Sequence, residues 1–223
     1  MPARTALITG GSRGIGAAIA AALAARGDHI VAPPRASLDL SQPDSIENFI
    51  ATQRDLPVDI LINNAGINVL NNLGDITPND WQAMLQTNLS AALRLTQAFA
   101  PGMRARRWGR VLNISSIFSL VTKERRAAYS MTKAALNAFT RSVAVEFGPD
   151  GILTNSLAPG YVDTALTRQN NSPTAIQAIA DAIPLRRLAK PAELAEVAAF
   201  LVSEENTYLT GQTIVVDGGF TCQ

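Results

Sequence analysis

The chain is poor in cysteine, histidine and aromatic residues, and its charges nearly cancel, with 19 basic against 18 acidic side chains in 223 residues. Each scarcity excludes something. A lone Cys222 allows no intrachain disulfide, which accords with a reducing, cytoplasmic compartment, and it reads as a passive terminal thiol. A lone His29 leaves no histidine cluster for a metal, so no metal site is expected. The net charge of +1 offers no bulk attraction to nucleic acid or to a membrane surface. No apolar run is long enough to span a bilayer, and Met1 to Arg4 lead straight into the first strand without a signal peptide.

What is present is apolar residue, 47% of the chain, enough to bury a sizeable core in one domain over residues 1–223. Strand-like runs at Thr5 to Thr9, His29 to Ala32, Ile60 to Asn63, Arg110 to Ile114, Leu153 to Leu157 and Thr213 to Val216 alternate with helical periods. The helices are expected at Ile15 to Arg26, Pro43 to Thr52, Asn79 to Arg106, Ala127 to Phe147 and Pro191 to Val202. Ser41 is a plausible N-cap for the second, and Pro191 fits N1 of the last. Alternation of this kind signals βαβ units and a parallel sheet. No repeat, linker or low-complexity block interrupts it.

The chemistry centres on Tyr129 and Lys133, four residues apart, with Ser116 thirteen residues upstream. On a helix that spacing stacks phenol and ammonium on one face, so the charge of Lys133 would favour the phenolate of Tyr129. A free phenol, with a pKa of about 10, is otherwise a poor base near neutrality. Ser116 would hold the reacting oxygen. The same Tyr and Lys spacing also occurs on ordinary surface helices, so context has to decide between the readings.

That context is the run Ala6-Leu7-Ile8-Thr9-Gly10-Gly11-Ser12-Arg13-Gly14-Ile15-Gly16, an apolar strand entering a glycine turn and then an alanine-rich helix. As in dinucleotide folds, Gly10 serves the turn, Gly14 lets the backbone approach a pyrophosphate, and Gly16 allows close helix packing. The helix N-terminus adds free N–H groups and the positive end of its dipole.

With these motifs the chain resembles the classical short-chain dehydrogenase/reductase family. The matching residues are Thr9-Gly10-x-x-x-Gly14-Ile15-Gly16, Asn63-Asn64-Ala65-Gly66, Asn88, Ser116, Tyr129-x-x-x-Lys133, Pro159-Gly160 and Thr164, with Thr210-Gly211-Gln212-Thr213 and Asp217-Gly218-Gly219 at the end. They run in family order along nearly the whole chain, and general patterning is similar to that of bacterial 3-oxoacyl-thioester reductases. The resemblance implies an α/β doubly wound parallel sheet of the Rossmann type. One departure is visible: Val31 and Asp39 are separated by only Ala32-Pro33-Pro34-Arg35-Ala36-Ser37-Leu38, too short for a parallel crossover. The usual third strand and its preceding helix are therefore expected to be lost or reduced, leaving about six strands in the order 2-1-4-5-6-7 by family numbering. Pro33-Pro34 suits a chain leaving the sheet edge.

The resemblance also implies a cofactor site. The second strand ends at Ala32-Pro33 without the acid that NAD-preferring relatives place there, while Arg13 and Arg35 lie nearby. Guanidinium groups suit a 2′-phosphate, so NADP is expected over NAD. Further cofactor contacts are expected from Gly10, Ser12, Arg13, Gly14, Ile15 and Gly16 of the glycine turn, from Arg35, and from Asp39 and Leu40 at the adenine. Asn64, Ala65 and Gly66 would lie by the adenosine ribose, and Pro159, Gly160, Val162 and Thr164 by the carboxamide and phosphates, with Tyr129 and Lys133 beside the nicotinamide. Asp39 has a second reading, as the cap of a turn at Ser41. The family's catalytic set maps to Asn88, Ser116, Tyr129 and Lys133, with Asn88 positioning a water that links Lys133 to solvent. Ser115 is set aside, because only Ser116 has the family spacing.

The implied activity is hydride transfer between NADP(H) and a ketone or secondary alcohol, with a 3-oxoacyl thioester among the substrates considered, and Ser116 and Tyr129 as substrate contacts. A dinucleotide-sensing regulatory protein without catalysis is the alternative. Residues 161–188 hold the place of the family's substrate loop. Lys123-Glu124-Arg125-Arg126, just before Tyr129, reads either as a wall recognising an anionic or polyhydroxylated substrate or as a solvated rim. Finally, Phe139, Val143 and Phe147, with Leu85, Leu89, Ala92 and Leu93, form apolar stripes that the family buries across a two-fold axis, implying a homotetramer, with a dimer as alternative.

Overall fold

Alternation within the strands settles the architecture, because each strand of a buried parallel sheet sends side chains to both faces. In β1 (Thr5–Ile8), Ala6 and Ile8 join one core layer and Leu7 the other. Ile60 and Ile62 oppose Leu61 in the same way further along the chain, and Leu112 and Ile114 oppose Val111. The computed structural model describes residues 3–223; Met1 and Pro2, half of the lead-in read ahead of the first strand, lie outside the described residues.

The remaining strands are β2 (His29–Val31), β3 (Ile60–Asn63), β4 (Gly109–Ile114), β5 (Ile152–Pro159) and β6 (Thr213–Val216). All pair in parallel, in the order β2-β1-β3-β4-β5-β6. The helices, in chain order, are α1 (Gly14–Ala25), α2 (Pro43–Thr52), α3 (Pro78–Leu85), α4 (Ala91–Arg106), α5 (Ala127–Phe147), α6 (Ala165–Gln169), α7 (Pro173–Ala182) and α8 (Pro191–Leu201). α1 and α8 cover one face through Ile19, Leu23, Leu194 and Ala198. α2 and α4 cover the other through Ile46, Phe49, Leu95, Phe99 and Met103. Among the described residues no helix is long and apolar enough to cross a membrane.

The expected loss of a strand is observed. Between β2 and α2 the chain makes a turn, in which the N–H groups of Ser37 and Leu38 donate to the Pro34 carbonyl at 2.9 and 3.1 Å. Leu38 and Leu40 then enter the second core layer. β2, which exposed His29 opens, is left as an edge strand of the sheet.

Three expectations need correction. Ser41 does not cap α2: Gln42 takes the N-cap position, and the Ser41 hydroxyl instead donates to Asp39 Oδ1 at 2.7 Å. The helix expected over 79–106 starts at Pro78 behind a Thr77 cap and is broken by one π turn, Gln86–Ser90, which widens the backbone around Asn88. The apolar stripes are also partly used inside this chain, since Val143 and Ala92 are buried in it, while Leu93 is 40% exposed.

Candidate active site

The site lies at the carboxyl ends of the strands, where α/β sheets open a crevice. Its first wall is the glycine turn between β1 and α1. Gly10 and Gly14 adopt φ of +64° and +58°, the left-handed region in which a side chain would be strained. A Cβ on Gly16 would stand 2.4 Å from the Gly10 carbonyl oxygen, so only glycine lets the helix close on the turn. α1 begins without a side-chain cap and without an acid in its first turn. Its opening N–H groups therefore face the cleft unpaired by any side chain, which is what a pyrophosphate requires. Thr164 closes over the turn, its Cγ2 standing 3.4 Å from where a Gly14 Cβ would be. The residues present fit a dinucleotide.

Gly10, Arg13, Gly14 and Ile15 line the cleft, as do Asn64, Ala65 and Gly66 after β3 and Pro159, Gly160, Val162 and Thr164 after β5. Asn64 also has a local task, because its amide donates to the carbonyls of Thr9 and Gly10 at 2.8 and 3.1 Å and staples the turn. Five expected cofactor residues stand outside the lining. Gly16 is buried behind the turn, Leu40 is in the core, and Ser12 is exposed. Arg35, with its side chain 80% exposed, pairs with Asp39 at 3.0 Å. Asp39 also accepts from the Ser41 N–H and hydroxyl, so it caps that turn as its second reading held, and these bonds lower its pKa.

The second wall is α5, held against the sheet by a buried polar chain. Asn63 donates to Asn113 at 2.8 Å, Asn113 donates to Thr140 at 2.8 Å, and Thr140 meets Ser156 at 2.7 Å. That chain ties β3, β4 and β5 to one helix and so fixes the position of Tyr129 and Lys133. Ser116, Tyr129 and Lys133 all line the cleft. Ser116 Oγ accepts the Phe118 N–H at 3.2 Å, whereas the Ser115 hydroxyl is turned to the Lys133 carbonyl at 3.3 Å. Asn88 sits behind the cleft in the π turn. Its carboxamide bonds both backbone groups of Ile67, at 2.8 and 2.9 Å, and Thr132 at 3.1 Å.

The electrostatics differ from the simple expectation. Burial raises the pKa of Tyr129, against smaller lowering effects from the Ser116 hydroxyl and the Arg126 charge. Lys133 is not among the groups that lower the Tyr129 pKa: its Nζ lies 5.8 Å from the Tyr129 ring centre and donates to the Ile114 carbonyl at 2.7 Å. Burial brings Lys133 itself down to about 8. Burial thus favours the phenol over the phenolate, the form that can donate a proton.

Sequence reasoning left several residues of this cleft without a definite place, Arg126 and Asn68 among them. Arg126, from the charged segment, is buried in the cleft wall, while Lys123, Glu124 and Arg125 are exposed. The segment is both wall and rim. Asn68 also lines the cleft, with its Oδ1 buried and unpaired. No motif marked it.

A family model described as Enoyl-(Acyl carrier protein) reductase, of the short-chain dehydrogenase type, matches residues 32–221. The acetoacetyl-CoA reductase of Shinella zoogloeoides is 37% identical over 235 aligned positions, which cover 97% of this chain and 98% of that protein. The 3-oxoacyl-(acyl-carrier-protein) reductase of Vibrio cholerae serotype O1 is 35% identical, with 97% and 96% covered. Among solved structures, a gluconate 5-dehydrogenase from Burkholderia cenocepacia J2315, in complex with NADP and tartrate, superposes with a TM-score of 0.94 at 32% identity, covering 100% of this chain and 97% of that one. The chain belongs to the short-chain dehydrogenase/reductase family and is an oxidoreductase.

Proposed function

We propose that the protein is an NADP(H)-dependent carbonyl reductase, and the observation that carries the reading is Tyr129 beside Ser116 and Lys133 in the cleft that the glycine turn opens. A reduced dinucleotide held by the glycine turn, Asn64, Thr164 and Lys133 would supply a hydride, with its electron pair, for the carbonyl carbon. Ser116 donates a hydrogen bond to the carbonyl oxygen as negative charge develops there. Tyr129 then gives its proton to that oxygen, and the alcohol is complete. The phenolate would regain a proton from solvent by way of Lys133, which donates one bond to the Ile114 carbonyl and keeps two further N–H donors that could hold the cofactor ribose. In this reading Asn88 fixes the backbone of Ile67 next to Lys133 and so shapes the proton path.

NADP is preferred to NAD on two supports: NADP is named in the Burkholderia structure, and exposed Arg13 stands at the cleft mouth. The named relatives act on acyl thioesters and on gluconate, so 3-oxoacyl thioesters and sugar acids are the first classes to test. The sensor alternative has no support, since the relatives named above are enzymes and a sensor needs no proton donor. A homotetramer built on α4 and α5, and a cytoplasmic location suggested by a single exposed Cys222, belong to the same proposal.

Tyr129→Phe tests the mechanism. It removes one hydroxyl, so kcat is expected to fall about 10²- to 10⁴-fold while NADPH affinity stays within about threefold. Turnover close to wild type would refute Tyr129 as the acid.

A further inference from the structure

Arg126 is 4% exposed, lines the cleft, and has its Nε and Nη1 buried without a hydrogen-bond partner. A buried guanidinium with unpaired N–H groups is costly, and natural proteins keep one where ordered water, an ion or a ligand completes it. Its position adds to the cost. Arg126 occupies the N-cap of α5, at the positive end of the helix dipole, with no acid in the first turn.

The rest of the cleft has no answer to that charge. Among the described residues its lining includes the cations Arg13, Arg126 and Lys133, and no aspartate or glutamate. Arg13 belongs to the phosphate turn and Lys133 to the catalytic set, which leaves Arg126 unassigned. Its guanidinium lies over the Phe118 ring at 5.3 Å, and the same ring meets Tyr129 edge-on at 6.4 Å and Tyr161 at 6.0 Å. One aromatic floor therefore runs from the proton donor to the unpaired cation. Lys123 stands over Tyr161 at 5.5 Å and adds a second positive charge at the mouth, next to exposed Glu124 and Arg125.

We infer that Arg126 is a specificity residue that receives a carboxylate on the substrate, so that the preferred substrate is a small keto acid or hydroxy acid with its acid group free. The inference rests on the carbonyl-reductase reading and narrows it. A planar guanidinium pairs a carboxylate through two parallel N–H bonds, whereas a neutral ester or thioester offers only a carbonyl.

Turnover of acetoacetate and levulinate is compared with that of their methyl esters at saturating NADPH. Wild type favours the free acids at least about tenfold in kcat/KM, and Arg126→Gln lowers that acid-to-ester ratio about ten- to a hundredfold, chiefly through KM, which is the scale of hydrogen bonds to a charged group. Arg126→Lys, which keeps the charge and loses the fork, retains part of the ratio. A ratio unchanged in Arg126→Gln overturns the inference, because a merely structural role slows both substrates alike. Should no ketone be turned over at all, the reductase reading fails, and malonate titrated calorimetrically into the NADPH-loaded protein still decides the anion site. Malonate binding that disappears in Arg126→Gln supports it. Binding that is equal in both proteins, or absent from wild type, refutes it.

Discussion

Arg110 and Arg126 are buried to nearly the same depth, 5% and 4% exposed, at opposite ends of the sheet. At the amino end, near the start of β4, Arg110 donates to the carbonyls of Ser203, Gly109 and Asn206 at 3.1, 2.9 and 3.0 Å and stacks on Trp108 at 4.5 Å. At the carboxyl end Arg126 has the aromatic neighbour without the carbonyls. Burial lowers both pKa values, that of Arg110 to about 10, so the desolvation cost is common to the two. Only one is compensated from within the fold. The pair teaches how to separate structure from function in this molecule: a buried charge with its partners holds elements together, and one without them waits for a ligand.

The widest break between the two should appear in stability. Arg110→Met strands three carbonyl acceptors and is expected to cost about 2–4 kcal/mol, read as a lower urea midpoint, with kcat per folded molecule preserved. Arg126→Met removes an uncompensated charge, so its midpoint should match or exceed that of wild type. Equal losses in the two variants would show that Arg126 is structural after all.

Lys133 sharpens the comparison, since it is 3% exposed and only partly satisfied, with one bond to the Ile114 carbonyl. Its folded pKa is lowered from 10.5 to about 8. Between those values the unfolded chain binds the proton that the folded one has lost, so this residue's contribution to stability rises as pH increases through that window. The rise is about 3 kcal/mol in total. Thermal melts of wild type and Lys133→Met across alkaline pH isolate it as the difference between the two curves. A difference that stays flat would mean that Lys133 is not desolvated.

Much of this was legible before any coordinates. The parallel sheet could be read from alternating runs such as Ile60 to Asn63, and the missing strand from the short span after Val31, because a crossover has a minimum length. Ser116, Tyr129 and Lys133 were legible through spacing. Other features depend on tertiary packing that no local pattern encodes. The π turn at Asn88 has no residue signature, and the Tyr129 pKa is set by how deeply α5 packs. Arg126 stood in a charged run whose other members are solvated, so sequence exposed the run and only the fold picked out its buried member. Arg35, expected at the 2′-phosphate, is paired with Asp39 by the turn that replaces the missing strand, a pairing that no local pattern encodes.

The smallest expected effect concerns the cofactor, and it repeats the contrast between satisfied and unsatisfied arginines on the surface. Arg35 is neutralised by Asp39 at 3.0 Å and stays largely in solvent, whereas Arg13 lines the cleft mouth and has no acid partner among the described residues. If charge at the 2′-phosphate sets the preference, the free arginine carries it. Arg13→Ala should then weaken NADPH about fivefold relative to NADH, the scale of one exposed ion pair of about 1 kcal/mol. Arg35→Asp, which adds a second carboxylate beside Asp39, should weaken NADPH less, through longer-range repulsion, and that loss should fade at high salt. Fluorescence titrations with both dinucleotides separate the two. A larger selectivity change in Arg35→Asp than in Arg13→Ala would mean that cofactor binding pulls Arg35 away from Asp39, and that the turn after β2 rearranges around the ribose.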